Sequence, residues 1–228
     1  MNSSIIELKD IYKSWMIGDE EEFVALKGVN LSIKQGEFSA ITGPSGSGKS
    51  TLMHVIGLLD KPTSGEVVID NKNILSLDDD ETSTLRSEFV GFVFQQFNLL
   101  NKLTVQENIL LPTTYARKKF AYNPLERAEY LMDRFGILSK RSSYPNKISG
   151  GQQQRVAIAR SLIMNPRLIL ADEPTGNLDT KTGDEIMKLF QELNETEKIT
   201  IVLVTHEPDI AKKTRRSIHV LDGMVTTT

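Results

Sequence analysis

The chain has 228 residues, a formal net charge of −3 and no cysteine, which excludes a disulfide framework and any cysteine-ligated metal centre. This length can bury a substantial core, as one domain with an inserted subdomain or as two domains, and the interspersed charges argue against an extended nucleic-acid footprint. The first ten residues include Glu7, Lys9 and Asp10 and lack the apolar heart of a signal peptide, and no apolar run approaches the roughly 20 residues that span a bilayer; the expectation is a soluble intracellular enzyme.

In chain order, residues 5–15 and 25–33 read as strands, separated by an exposed turn at Gly18-Asp19-Glu20-Glu21-Glu22. Residues 37–42 form a short, largely apolar strand, and 51–58 read as a helix. Strands follow at 66–70 and 90–94. Thr104 and Glu107 form a capping box that opens a helix through about residue 118. Asn123-Pro124 with Glu126 starts a second helix, ending near Gly136, and a third runs over 151–164. Beyond Pro166 the pattern returns to a strand at 168–171, a helix at 181–193, and strands at 199–205 and 217–221. Strand–helix alternation implies an α/β fold with a mostly parallel sheet covered by helices. The helix-rich stretch 97–165 interrupts it as an inserted helical subdomain, leaving 1–96 and 166–228 as the core.

Between the 37–42 strand and the following helix lies Gly43-Pro44-Ser45-Gly46-Ser47-Gly48-Lys49-Ser50. Glycines in such a loop let the backbone aim several N–H groups at one anion. Lys49 supplies a point charge for the β- and γ-phosphates, Ser50 offers a hydroxyl to Mg²⁺, and the helix opening at Thr51 adds its dipole. The pattern predicts a nucleoside triphosphate site with Mg²⁺.

The 168–171 strand ends in Asp172-Glu173. In a phosphate-loop enzyme the first acid holds Mg²⁺ through water, while the second, pointing the other way, is placed to orient or deprotonate an attacking water. His206 ends another buried strand and is placed to contact the γ-phosphate; His54 and His219 read as structural. Gln95, at the end of the 90–94 strand, offers a neutral amide to Mg²⁺ or its water, with Gln96 as a rival. Trp15 is the only tryptophan. Residue type alone favours a core position for it over a platform for adenine.

With Ile148-Ser149-Gly150-Gly151-Gln152 about a hundred residues after the phosphate loop, and Gly176-Asn177-Leu178-Asp179 and His206 beyond it, the chain resembles the nucleotide-binding subunit of an ATP-binding-cassette (ABC) transporter, over residues 5–225. Gly91-Phe92-Val93-Phe94-Gln95-Gln96-Phe97-Asn98-Leu99-Leu100, residues 57–65 and residues 169–176 are similar to the macrolide-exporter and lipoprotein-release (MacB- and LolD-like) branch.

The resemblance implies an antiparallel β subdomain and a Mg²⁺-dependent ATPase that pairs head to tail as a homodimer. One protomer contributes Lys49, Ser50, Gln95, Asp172, Glu173 and His206. The other closes the site with Ser149 and Gly151, flanked by Gly150 and Gln152, and Asp179 sits at the crossing. It also makes Trp15 the adenine-stacking aromatic and prefers Gln95 over Gln96. It implies a separate membrane permease docked near residues 95–112, with Phe97, Leu99 and Leu100 as candidate contacts, a place on the cytoplasmic face of the inner membrane, and no nucleic-acid partner. Ile148 stands where leucine is more usual, and the extra C-terminal regulatory domain of some importer ATPases is expected to be missing. Cell-division and antibiotic-sensing systems with similar ATPases are the alternative to an exporter or lipid-substrate extractor. A DNA-repair or translation ATPase is disfavoured by net acidity and by the absence of coiled-coil heptads.

Overall fold

The structure is a computed structural model and describes residues 4–18 and 21–227. Its strands are β1 (Ser4–Ile17), β2 (Glu21–Lys34), β3 (Phe38–Thr42), β4 (Ser64–Ile69), β5 (Lys72–Asn73), β6 (Val90–Phe94), β7 (Leu168–Asp172), β8 (Thr200–Val204), β9 (Arg216–Leu221) and β10 (Met224–Thr227). The α-helices are α1 (Lys49–Ile56), α2 (Asp79–Phe89), α3 (Val105–Leu110), α4 (Pro124–Arg134), α5 (Gly150–Leu162), α6 (Thr180–Glu197) and α7 (Pro208–Ala211). Of the turn expected at residues 18–22, Glu21 and Glu22 belong instead to β2, and Asp19 and Glu20 lie outside the described residues.

Two sheets result. An antiparallel sheet runs in the order β2-β1-β4-β5, and a six-stranded sheet runs β10-β9-β3-β8-β7-β6. In the second, β9, β3, β8, β7 and β6 are parallel and only β10 is antiparallel. Because side chains alternate along a strand, each central strand feeds two cores. Leu168, Leu170, Val202 and Val204 pack with α1 (Leu52, Met53, Val55, Ile56) and with Ile6, Ile11 and Leu26 of the antiparallel sheet. Ile169, Ala171, Ile201 and Leu203 face the opposite way, towards Ile109 of α3, Leu131 of α4, Ile158 of α5 and Phe190 of α6. Burial on both faces explains why β7 and β8 read as unbroken apolar runs.

Helices α2 and α3 differ from expectation, and the four-residue α7 was not predicted. The Thr104–Glu107 capping box forms, with the Glu107 carboxylate accepting from the Thr104 amide at 2.7 Å. The helix it opens nevertheless stops at Leu110 and tightens into a 3₁₀ turn over Leu111–Tyr115, because Pro112 has no N–H and its ring crowds the carbonyl four residues back. Helix α2 has no predicted counterpart. Only Thr82 and Phe89 of it are buried, so its apolar stripe is nearly blank. Its start is set by a capping box, Asp78 accepting from the Glu81 amide and Glu81 from the Asp78 amide.

Candidate nucleotide site

Strand register assembles the site. Ile41, Val204, Asp172 and Phe94 are partners across β3, β8, β7 and β6. The residues that follow them therefore leave the sheet along a single carboxyl edge, where open parallel sheets bind ligands. Those residues are Thr42 with the 43–48 loop, Thr205-His206, Glu173 and Gln95.

The loop leaves β3 with Gly43 at φ 144°, Gly46 at 76° and Gly48 at 103°. Close approach fixes two of these glycines as well: a Cβ on Gly43 would stand 2.0 Å from the Val220 carbonyl oxygen, and one on Gly48 2.6 Å from that of Ala25. Gly48 caps α1 without any side-chain hydrogen bond, and the first turn of α1 carries no acid. Helices α2, α3 and α5 all carry capping boxes instead. The first N–H groups of α1 are thus left, with the helix dipole, for an external anion. Lys49 is 8% exposed, and its ammonium donates to the Gly43 carbonyl at 2.9 Å and the Pro44 carbonyl at 2.7 Å. One of its three N–H donors and its full charge remain inside the loop. The Ser47 hydroxyl is buried with no partner. A pocket of about 180 Å³ opens here, lined by Gly46, Gly48, Lys49, Ser50, Thr51, Ala25 and Phe23.

Phe23 went unnoticed in the sequence. It is the cross-strand partner of Trp15, with ring centroids 6.4 Å apart and planes 16° from parallel. Trp15 is 40% exposed, which overturns the core preference drawn from residue type. The Lys13 ammonium lies 5.1 Å from the indole centroid, buried and ion-paired to Asp60 at 2.6 Å. Phe23 carries this aromatic surface to the phosphate-loop pocket. The β1–β2 register sets 23 opposite 15, and no sequence motif marks Phe23.

The two acids at the end of β7 have different surroundings. Burial first, and then the adjacent Glu173 charge, push the Asp172 carboxyl above the ordinary range; the His54 and Lys49 charges pull it part of the way back. Glu173 sits at φ 43°, a left-handed conformation uncommon for a residue with a side chain. Its amide donates to the Val204 carbonyl at 2.8 Å, and its carboxylate meets His206 Nδ1 at 2.6 Å. His219 instead contacts the Thr42 hydroxyl at 3.3 Å. The Gln95 carbonyl accepts from Asn177 Nδ2 at 2.9 Å, while Gln96 is exposed.

Ser149 caps α5. Its hydroxyl accepts from the Gln152 amide at 3.3 Å, and the Gln152 side chain accepts from the Ser149 amide at 3.0 Å. Gly151 presses on Thr182, whose methyl would lie 2.5 Å from an added Cβ. Thr182 donates from its amide (3.0 Å) and its hydroxyl (2.6 Å) to Asp179, holding that carboxyl below its ordinary range. Ser149, Gly150, Gly151, Gln152 and Asp179 thus form one packed unit, and none of them lines the phosphate-loop pocket.

A groove of about 580 Å³ lies between β6, α2 and the segment after α3, walled by Phe92, Phe94, Asn98, Leu111, Pro112, Tyr115 and Arg160 among others. Of the apolar residues expected to face a partner, Leu99 packs against the core and Leu100 is 49% exposed. Neither they nor Phe97 line the groove. Among the described residues no helix is long and apolar enough to cross a membrane.

An uncapped helix behind a glycine loop, an acid pair on the adjacent parallel strand, and a histidine and a glutamine on the flanking strands define a phosphate-loop nucleotide cassette. The family model described as ABC transporter matches residues 26–176. The uncharacterized ABC transporter ATP-binding protein MJ0796 of Methanocaldococcus jannaschii is 51% identical, covering 97% of this chain and 95% of its own. The lipoprotein-releasing system ATP-binding protein LolD 1 of Rhodopseudomonas palustris is 42% identical over 98% of this chain and 99% of its own. The macrolide export ATP-binding/permease protein MacB of Syntrophobacter fumaroxidans is 46% identical over 97% of this chain, which spans only 31% of that protein's length. The dimeric post-hydrolysis structure of MJ0796, bound to ADP and Pi, superposes with a TM-score of 0.87 at 48% identity over 96% of both chains. The chain belongs to the ABC transporter family, as one of its ATP-binding cassette ATPases.

Proposed function

We propose that this chain powers an exporter or lipoprotein-release complex, binding ATP between two head-to-tail copies of itself and passing the resulting closure to a separate membrane permease. The observation that carries the dimer is the partition of the motifs. Gly46, Gly48, Lys49, Ser50 and Thr51 line the phosphate-loop pocket, whereas the Ser149–Gln152 segment is packed against Asp179 and Thr182, away from it. A second copy supplies the missing half. MJ0796, similar over nearly its whole length, has been solved as a dimer.

In this reading the 43–48 amides and Lys49 bind the phosphates, and the Trp15–Phe23 surface takes the adenine. Glu173, oriented by His206, holds the attacking water and accepts its proton, while His206 also faces the γ-phosphate. Among the described residues no three of His, Asp and Glu gather into a metal cage, so a divalent ion here needs phosphate oxygens as further ligands. Magnesium binds through few protein oxygens and keeps the rest for phosphate and water. The Ser50 hydroxyl, Gln95 amide and half-buried Asp172 carboxylate fit it, and when bound it neutralises phosphate charge. Most of the chemistry is then positioning by fixed dipoles and charges. Differential affinity of ATP for the closed pair supplies the mechanical bias.

We divide the chain into a nucleotide-binding core (1–96 and 166–228) and a helical subdomain (97–165); the 580 Å³ groove draws its walls from both, with Phe92 and Phe94 on one side and Leu111, Pro112 and Arg160 on the other. We assign the permease contact to that groove, with the cassette peripheral on the cytoplasmic face of the inner membrane. The test uses tagged Glu173→Gln protein with ATP and Mg²⁺, captured from detergent-solubilised native membranes. Expected are ATP retention, a dimer by sedimentation, a fall in turnover of about 10²–10⁴-fold, and a co-purifying multi-span protein. Normal turnover overturns the role of Glu173; ribosome or DNA in place of a membrane protein overturns the transport reading.

A further inference from the structure

Arg160 lies late in α5, about 16 Å along the helix from Ser149, and none of the chemistry assigned above uses it. Its guanidinium donates to the Asn98 carbonyl at 2.5 Å and the Phe97 carbonyl at 2.8 Å. Among the described residues no carboxylate pairs with it, and burial alone pulls its pKa below the usual guanidinium range. A half-buried guanidinium held by two main-chain oxygens makes a strong and directional contact. Those oxygens belong to consecutive left-handed residues, Phe97 at φ 61° and Asn98 at φ 48°. This is a conformation that side-chain-bearing residues keep only when their surroundings impose it.

The imposed turn starts at the end of β6, beside Gln95. The Phe97 amide donates to the Phe94 carbonyl at 3.0 Å and the Asn98 amide to that of Gln96 at 2.6 Å, so Gln95 is the first central residue of a tight reversal. Its far side is fixed by Asn177, which donates to the Gln95 carbonyl, and by Gly176, where an added Cβ would stand 2.7 Å from Gln95 Nε2. Arg160, Asn98 and Phe94 together wall the groove between the two cores.

We propose that Arg160 is a positioning residue for ATP hydrolysis: it clamps the strained turn behind Gln95 to the helix that starts at Ser149, so that Gln95, the groove wall and the Ser149 end of α5 move as one body. The proposal rests on the placement of Gln95 at the nucleotide. Release of the clamp lets the turn relax and carries the Gln95 amide off its position, with little direct effect on the Lys49 loop.

The test measures steady-state ATPase activity of the full chain for Arg160→Met, Arg160→Lys, Gln95→Ala and Arg160→Met/Gln95→Ala, each also with Asn98→Gly. Displacements of about 1 Å cost up to roughly a hundredfold in rate, so kcat is expected to fall at least about tenfold in both Arg160 variants with KM for ATP within about twofold. Lysine keeps the charge and stem but lacks the planar fork that spans two carbonyls, which separates clamping from packing if Arg160→Met folds poorly. Glycine reaches φ near 48° without strain, so Asn98→Gly is expected to restore part of the lost rate. The Arg160→Met and Gln95→Ala losses are expected to be strongly sub-additive. A slow Gln95→Ala beside a normal, unrescued or fully additive Arg160 variant overturns the proposal alone. A wild-type rate for Gln95→Ala overturns the placement of Gln95 and the proposal with it.

Discussion

Replacing Trp15 by alanine tests whether the exposed aromatic surface reads the base. Stacking of a base on an aromatic side chain is worth about 1–3 kcal/mol by alanine substitution, so ATP binding is expected to weaken about 5- to 150-fold. The same change also costs stability. Trp15 is 40% exposed, so roughly 90–150 Å² of an aromatic's 150–250 Å² is covered. At about 25 cal/mol per Å² this amounts to no more than about 2–4 kcal/mol, since real denatured chains are partly compact. The two effects overlap in size, and a melting curve alone cannot separate them. Shortening the ligand can. Calorimetric titration of Trp15→Ala with ATP and with tripolyphosphate is expected to show the loss for ATP only, because the Lys49 loop is untouched. In the unmodified chain Trp15 is the sole tryptophan, so its emission is expected to change with ATP and far less with tripolyphosphate. Equal weakening of both ligands, or unchanged ATP affinity, would refute the adenine platform.

Gly48→Ala places a methyl 2.6 Å from the Ala25 carbonyl at a φ of 103°; a loss of about 2 kcal/mol or more in urea unfolding, with nucleotide binding abolished, is expected, and a variant of normal stability and affinity would show that the loop tolerates a side chain there. Asp172→Asn should kill turnover yet raise the thermal midpoint of the nucleotide-free chain at pH 7. The sign follows from a carboxyl whose folded pKa is raised: the folded state binds the proton more tightly than the unfolded chain. The penalty is therefore absent below the unfolded value near 3.8, builds as pH rises through the folded value and is full above it. Wild type and Asp172→Asn should thus converge in stability as pH falls towards 4, and a variant less stable than wild type at pH 7 would contradict the raised carboxyl.

Much of this was legible because the informative residues are local. The glycine loop, the β7 acid pair and the Thr104–Glu107 capping box each specify their own geometry within a few residues. What escaped depends on pairing across distance or on polar signals without an apolar stripe. Helix α2 announced itself only through Asp78 and Glu81, because nearly all its side chains face water. Strand β10 follows Asp222-Gly223, whose φ values of 49° and 82° make the two-residue turn of a hairpin; the dipeptide was visible, but the four-residue strand behind it was too short to register. Phe23 and Arg160 carry no motif. One matters because of hairpin register, the other because helix α5 passes the turn after β6, and neither fact exists until the chain is folded.

The cap on α5 has a consequence for polarity at the Ser149 end of that helix. The Ser149 oxygen spends a lone pair on the Gln152 amide, and its own proton is left over. A hydroxyl committed this way as an acceptor turns outward as a donor, and so it suits a partner that has only lone pairs to offer, as a phosphate oxygen does. Aspartate at this position would cap the helix equally well but would present negative charge and no proton, and alanine would leave both the amide and the visitor wanting. In the proposed dimer the preference for a hydroxyl side chain is thus written into the direction of one hydrogen bond: folding consumes the side of the oxygen that receives, and keeps for assembly the side that gives.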